Sequence, residues 1–230
     1  MARQKEYSDD FNRSDVDPLN TDWDSITDWN GGAMSDNLQL VSNEMKAVDD
    51  QGRSKYNNTP GDADQYMALT VTDYGDVGSE KVYVSLRTVK SPAEDSYYLI
   101  FHKTAGTVYI CRIDNAGYNV ETSAAAVMAD GDIISVEVET TDVNTVQIRM
   151  YVDGALKLSH DDTDATRKTA NGYIAVKGTK NFTGDDFECG YLGVPVVLPG
   201  VKTINDLAIA NVKTINDLAI ASVKTLQDAS

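Results

Sequence analysis

Between residues 65 and 178 apolar side chains recur at every second position, in run after run, and no stretch of this body carries them convincingly at helical spacing. The runs are QYMALTVTD (65–73), KVYVSLRTV (81–89), SYYLIFHK (96–103), TVYICRI (107–113), DIISVEVETT (132–141), TVQIRMYVD (145–153), GALKLSH (154–160) and GYIAVKG (172–178). A period of two places alternate side chains on opposite faces of a strand. Each run therefore predicts a strand with one face in a core and the other in water. Val, Ile, Thr and Tyr fill the runs and Gly, Asn or Asp bound them, as half-buried pleated segments require. Asp153-Gly154 separates two runs and predicts a tight hairpin, and TAG (104–106), NAG (115–117) and ADG (129–131) predict further turns. Many short strands without helices imply an all-β sandwich or jelly roll.

The segments DDFNRSD (9–15) and LNTDW (19–23), followed by SDNLQLVS (35–42), resemble the opening of concanavalin A-like, laminin-G-type jelly-roll domains. YVDGALKLSHDDTD (151–164) and the closing GYIAVKG and DDFECGYL (185–192) resemble later strands of the same fold. The resemblance spans 8–192 and implies a concanavalin A-like sandwich. It leaves function open, because the fold hosts lectins, glycosidases, adhesins and virion proteins. Phe11 and Trp23 are expected to pin the first strand across the sandwich. The expected organisation is an N-terminal segment (1–7), the jelly roll (8–192), a linker (193–200) and an arm of 11-residue repeats (201–230).

The formal net charge is −16. Lys202, Lys213 and Lys224 balance Asp206, Asp217 and Asp228, so the arm is neutral and the rest of the chain holds the whole excess. Phosphate binding needs clustered Lys and Arg, which argues against nucleic acid as a direct partner. No apolar run approaches a membrane span. MARQKEYSDD lacks the apolar core of a secretory signal, so synthesis and folding in a cytoplasm are expected. Cys111 and Cys189 fall in strand-like runs, where buried free thiols are the favoured reading. A disulfide would require those strands to be neighbours.

Glycoside hydrolysis needs two carboxylates flanking the scissile bond. Glu137 and Glu139 share a strand face, but no Asp stands between them, and a solvated outer face is the favoured reading. His102 and His160 read as surface residues, no nucleophile elbow or zinc spacing appears, and a non-enzymatic protein is expected. Calcium, the one cofactor entertained, would find oxygen donors in Asp161, Asp162 and Asp164 of SHDDTDAT, with Asp76, Glu80, Asp185 and Asp186 in other loops. A glycan would need exposed aromatics, for which Trp29, Tyr98 and Tyr118 are the candidates, beside Trp23 and Tyr97. Tyr97 and Tyr98 are adjacent, so in a strand one faces the core and the other does not.

LGVPVVLPG (192–200) leads into VKTINDLAIAN, restated from Val212 and broken off after Val223. The repeats carry Val201, Ile204, Leu207, Ile209, Val212, Ile215, Leu218, Ile220, Val223 and Leu226. At helical spacing these aliphatics spread over an arc too broad for a coiled-coil seam. The favoured form is extended, with Asn-Asp as the turn between VKTI and LAIA. Burying them recovers less than ordering the arm costs in backbone entropy, so a partner surface or further copies are expected. The units resemble C-terminal repeats of tailed-bacteriophage virion proteins, with Asp206 and Asp217 where Gly is usual. That resemblance implies a capsid decoration or head-fibre protein at the virion surface, made in the host cytoplasm and held by the ten aliphatics to the major capsid protein or other virion proteins. A homo-oligomer, such as a trimer, is expected. The alternative is a tail-associated adhesin or carbohydrate-binding module for host-surface glycans.

Overall fold

The computed structural model describes residues 2–15, 19, 22–25, 38–48, 52–78, 80–90, 94–114, 117–193, 203–204 and 207–208. β1 (Ala2–Asp9) and β2 (Trp23–Ser25) open the chain, and β3 (Leu38–Val41), β4 (Glu44–Ala47) and β5 (Arg53–Tyr56) follow as short strands. Longer strands succeed them: β6 (Gln65–Asp73), β7 (Lys81–Lys90), β8 (Glu94–His102), β9 (Thr107–Asp114) and β10 (Gly117–Ala125). β11 (Ile133–Asp142), β12 (Thr145–Val152), β13 (Ala155–Asp162), β14 (Tyr173–Gly178) and β15 (Thr183–Gly193) complete the body.

These strands form two antiparallel sheets. One has eight strands in the order β13-β12-β11-β6-β15-β4-β3, with β1 also paired to β15, and the other has seven, β10-β9-β8-β7-β14-β5-β2. Their inner faces meet in one core, to which Leu69, Val136, Ile148 and Phe187 come from the first sheet and Val84, Leu99, Ile110 and Ile174 from the second. The alternation predicted this arrangement. β12 buries every second residue, Val146 through Val152, and leaves the intervening ones partly exposed. The hairpin between β12 and β13 turns at Asp153 (φ 51°) and Gly154 (φ 73°), the paired positive φ values whose twist matches the flanking strands.

Phe11 and Trp23 are buried as expected. Trp23, on the seven-stranded sheet, meets Phe187 of the eight-stranded sheet edge-on at 4.8 Å, and Phe11 lies 6.4 Å from the indole. They bridge the layers at the point where the chain passes from one sheet to the other.

The N-terminal residues differ from the expectation. The segment set apart as 1–7 belongs to the sandwich from Ala2, because β1 pairs with β15 from Ala2↔Gly193 to Asp9↔Phe187. ARQKEYSD carries almost no apolar signal, since an edge strand makes half its ladder to water and needs little hydrophobic patterning. β10 was likewise not legible as a strand: GYNVETSAA leaves its first four residues exposed.

The chain divides into two compact units, Met1–Gly193 and Val194–Ser230. In the second, Thr203–Ile204 pairs antiparallel with Leu207–Ala208, with Ile204 opposite Leu207. Of the proposed anchoring aliphatics, Val201, Ile209, Val212, Ile215, Leu218, Ile220, Val223 and Leu226 lie outside the described residues.

Candidate functional site on the outer face of the seven-stranded sheet

Alternation along β7, β8 and β9 sends a second set of side chains away from the core. Tyr83, Tyr98, Ile100, Tyr109, Cys111 and Ile113 form an apolar cluster of their own on the outer face. The registers Tyr83↔Ile100↔Tyr109 and Ser85↔Tyr98↔Cys111 set these residues side by side, and Val120 continues the second row on β10. A cleft of about 390 Å³ opens above them, walled by Tyr83, Tyr109 and Tyr118 with Lys81, His102 and Val120 at its rim.

The ring of Tyr98 is packed against that of Tyr83 (centroids 5.3 Å, 24° between planes) and meets Tyr118 edge-on at 6.4 Å. Tyr98 is 1% exposed and forms the floor, whereas Tyr118 is 42% exposed and presents its ring to solvent. The Tyr118 hydroxyl lies 3.1 Å from Cys111 Sγ. Burial pushes the Cys111 thiol up to about 11, so it stays protonated at neutral pH and is no nucleophile. Burial, and then the neighbouring Lys81, hold His102 below the usual imidazole value, so its ring is neutral there. Such a cleft offers apolar ring faces, a few hydroxyl and imidazole hydrogen-bonding groups and an ammonium, and can hold a small polar ligand by stacking and hydrogen bonds.

Of the predicted glycan residues, the structure brings Tyr98 and Tyr118 together, and Trp29 lies outside the described residues. Tyr97 is the core-facing member of its pair, and Trp23 is buried between the sheets. Sequence reasoning did not single out Tyr83, Tyr109, Lys81 or His102 for this site. Their signal was the same alternation, which puts Lys81 and Tyr83 on one face of KVYVSLRTV and Tyr98 and His102 on one face of SYYLIFHK.

The proposed calcium ligands do not converge. Asp161 and Asp162 are consecutive in β13 and project from opposite faces. Asp162 is buried and accepts hydrogen bonds from Tyr97 Oη (2.7 Å) and Arg112 Nη1 (3.0 and 3.1 Å). Asp161 accepts one from Gln147 Nε2 at 2.9 Å, and Asp164 accepts the Thr166 amide at 2.8 Å. A guanidinium already supplies the charge that a cation would bring, so these residues do not fit calcium. Elsewhere, Asp76 accepts from Asn181, and Glu80 pairs with Lys103.

Glu137 and Glu139 are held on the outer face of the other sheet. Arg149 pairs with both, and Arg3 Nε reaches Glu137 at 2.9 Å. Neither carboxylate borders the tyrosine cleft. A larger cavity of about 480 Å³ lies at one end of the sandwich, but Lys168 on its wall is already paired with Asp95 and Asp114. The two cysteines are free, Cys189 in the central core and Cys111 in the outer cluster, on strands of different sheets.

No protein-family model matches the chain, and neither does any curated protein sequence. Solved structures do. A protein of unknown function with a galectin-like fold from Bacillus subtilis superimposes with a TM-score of 0.59 at 10% identity, over 82% of this chain and 97% of its own. The body is a galectin-like, concanavalin A-like jelly roll. The carbohydrate recognition domain of Emp47p gives a TM-score of 0.55 at 12% identity, covering 82% of this chain and 96% of that one. The β-glucanase of Bacillus licheniformis gives 0.52 at 15% identity, covering 81% and 98%. At such identities the likeness establishes the fold alone, and the same scaffold carries both a carbohydrate recognition domain and a glucanase.

Proposed function

We propose that the jelly-roll body is a non-enzymatic glycan-binding domain and that the tyrosine cleft on its seven-stranded sheet is the binding site. The observation that carries this reading is the half-exposed ring of Tyr118, braced against the buried Tyr98 over an apolar floor. A pyranose has an apolar C–H face and a hydroxyl edge, which match a fixed phenol ring beside Lys81 and His102. Binding rather than hydrolysis is favoured because, among the described residues, the cleft is lined by Lys81, Tyr83, Tyr98, Ile100, His102, Tyr109, Tyr118 and Val120 and by no carboxylate, and Glu137 and Glu139 are committed to arginines on the other sheet. The fold shared with a carbohydrate recognition domain is consistent with this reading.

The test is a glycan array followed by calorimetry of the best hit. Tyr118→Ala should lower affinity about tenfold, the scale of one aromatic contact, with the melting temperature unchanged. Retention of full affinity in that variant, or no hit in the wild type, sinks the assignment.

The repeats support a second, separable part of the proposal. On their resemblance to phage virion repeats, residues 201–230 attach the domain to a virion surface, through capsid or other virion proteins or through further copies of the chain. The protein then displays a lectin-like body to host glycans.

A further inference from the structure

Tyr118, the exposed wall of the cleft, stands on β10 at the edge of the seven-stranded sheet, in a stretch whose first four residues are exposed. A tyrosine so placed turns about two side-chain torsions unless something holds it, and a ligand stacking on a loose ring loses affinity in freezing it. Two contacts hold this one. Its ring meets Tyr98 edge-on at 6.4 Å, and its hydroxyl lies 3.1 Å from Cys111 Sγ. The second contact does not run straight across the ladder. Tyr118 is opposite Ile113 on β9, whereas Cys111 is opposite Val120, so the phenol leans two residues along β9 to a diagonal neighbour. Cys111 is in turn opposite Tyr98 on β8, and one side chain of the edge strand is thereby tied to the two strands inside it.

Packing does not by itself call for a sulfur at this position. Cys111 is fully buried among Tyr98, Ile100 and Ile113, where an aliphatic side chain of its size would fill the space as well. It forms no disulfide, since Cys189 is on the other sheet. Its thiol stays protonated at neutral pH, so it keeps both an S–H donor and a sulfur acceptor for the phenol. The described residues that line the cleft do not include it. We infer that Cys111 is a positioning residue of the glycan site: it anchors the Tyr118 hydroxyl against the sheet, so that the ring rather than the hydroxyl is offered to a sugar. The inference rests on the glycan-binding reading and adds to that site a side chain that touches no ligand.

A ring anchored at its hydroxyl end and braced by Tyr98 is already in place when the C–H face of a pyranose arrives, and the ordering cost falls on the fold rather than on binding. A contact between a hydroxyl and a sulfur is weaker than one between two oxygens, so its removal should weaken binding by a modest factor rather than abolish it.

The experiment uses the full chain and four variants: Cys111→Val, Cys111→Ser, Tyr118→Phe and the double variant Cys111→Val with Tyr118→Phe. The first readout needs no ligand. In protein carrying 13C-labelled tyrosine, the Tyr118 ring should be ordered in the wild type and in Cys111→Ser and mobile in Cys111→Val, with its resonance assigned from Tyr118→Phe. The second is calorimetry with the strongest binder from an array of gluco-, manno- and galacto-configured oligosaccharides. Cys111→Val should lower affinity about threefold, the scale of one weak hydrogen bond, and Cys111→Ser should restore it. Tyr118→Phe should lose as much as Cys111→Val, and the double variant no more than either, because both remove the same contact. An unchanged Tyr118 ring in Cys111→Val, no recovery in Cys111→Ser, or losses that add in the double variant overturn the positioning role and leave glycan binding standing. With no hit on the array, the ring measurement still decides the positioning of Tyr118, and only the glycan assignment is removed.

Discussion

Asp162 is a carboxylate fully committed to the protein. It is 1% exposed and sits where Tyr97 Oη, Arg112 Nη1 and the Asp164 amide all donate to it. The acidic run SHDDTDAT shows that oxygen donors are plentiful there, but Arg112 is 50 residues away on the opposite sheet and is not visible from the run. Asp162→Ala would leave a buried guanidinium and a phenol without their acceptor. A loss of about 3 kcal/mol in urea denaturation is expected, the usual scale for breaking a buried pair from one side. A loss below about 1 kcal/mol would mean that Asp114, already 2.9 Å from Arg112 Nε, absorbs the charge. Tyr98 makes the complementary point. Its adjacency to Tyr97 guaranteed that one ring would leave the core, yet only the pairing of β8 with its neighbours decides which.

At the scale of elements, β1 is held less by hydrophobic burial than by charge. Its inward residues include Tyr7, stacked on Tyr56 at 4.4 Å, and Asp9, which Arg13 grips through both carboxylate oxygens. At its other end Arg3 crosses to Glu137 and Ser135 on β11. The strand also needs Gly190 on β15, where a Cβ would stand 2.0 Å from the Gln4 carbonyl oxygen. Burial by itself would raise the carboxyls of Asp9 and Glu137, but hydrogen bonds from Arg13 and the Phe11 amide, and from Arg3 and Tyr151, outweigh it and hold both below the ordinary range. A depressed carboxyl adds stability above its unfolded value, near 4, and loses it as pH falls through the folded one. Amide hydrogen exchange in Ala2–Asp9 should therefore accelerate below about pH 4, ahead of β8 and β9 in the core. Arg3→Ala should bring part of that acceleration to neutral pH. Uniform loss of protection across both sheets would show that β1 is not separately weakened. Eight residues of mostly polar sequence gave no hint of this strand, because its partners supply what its own pattern lacks.

For the whole molecule, the body closes its ladders and core within residues 2–193, and Val194–Ser230 forms a unit of its own. A chain ending at Gly193 should melt within a few degrees of the full protein and bind the same glycans, a shift of that size corresponding to no more than about 1 kcal/mol. If residues 201–230 attach or oligomerise the protein, the truncated chain should also lose particle binding and run as a smaller species in sedimentation. Unchanged particle binding and oligomer size would remove the attachment role from the repeats while leaving the lectin-like body untouched.

Local chain physics settled the fold class and most of the longer strands. Period-two burial, β-branched composition and the Asp153-Gly154 turn act over a few residues, so they are written in consecutive letters. The division between the body and Val194–Ser230 was legible for the same reason. The tertiary structure alone decided which face of each strand looks inward, and with it that Tyr83, Tyr98, Tyr109 and Tyr118 share one cleft. It also decided that Asp162 serves Arg112 rather than a metal, and that a polar N-terminus is a strand. Each of these depends on register between segments far apart in the chain, and alternation is symmetric about a strand until a neighbouring sheet covers one of its faces.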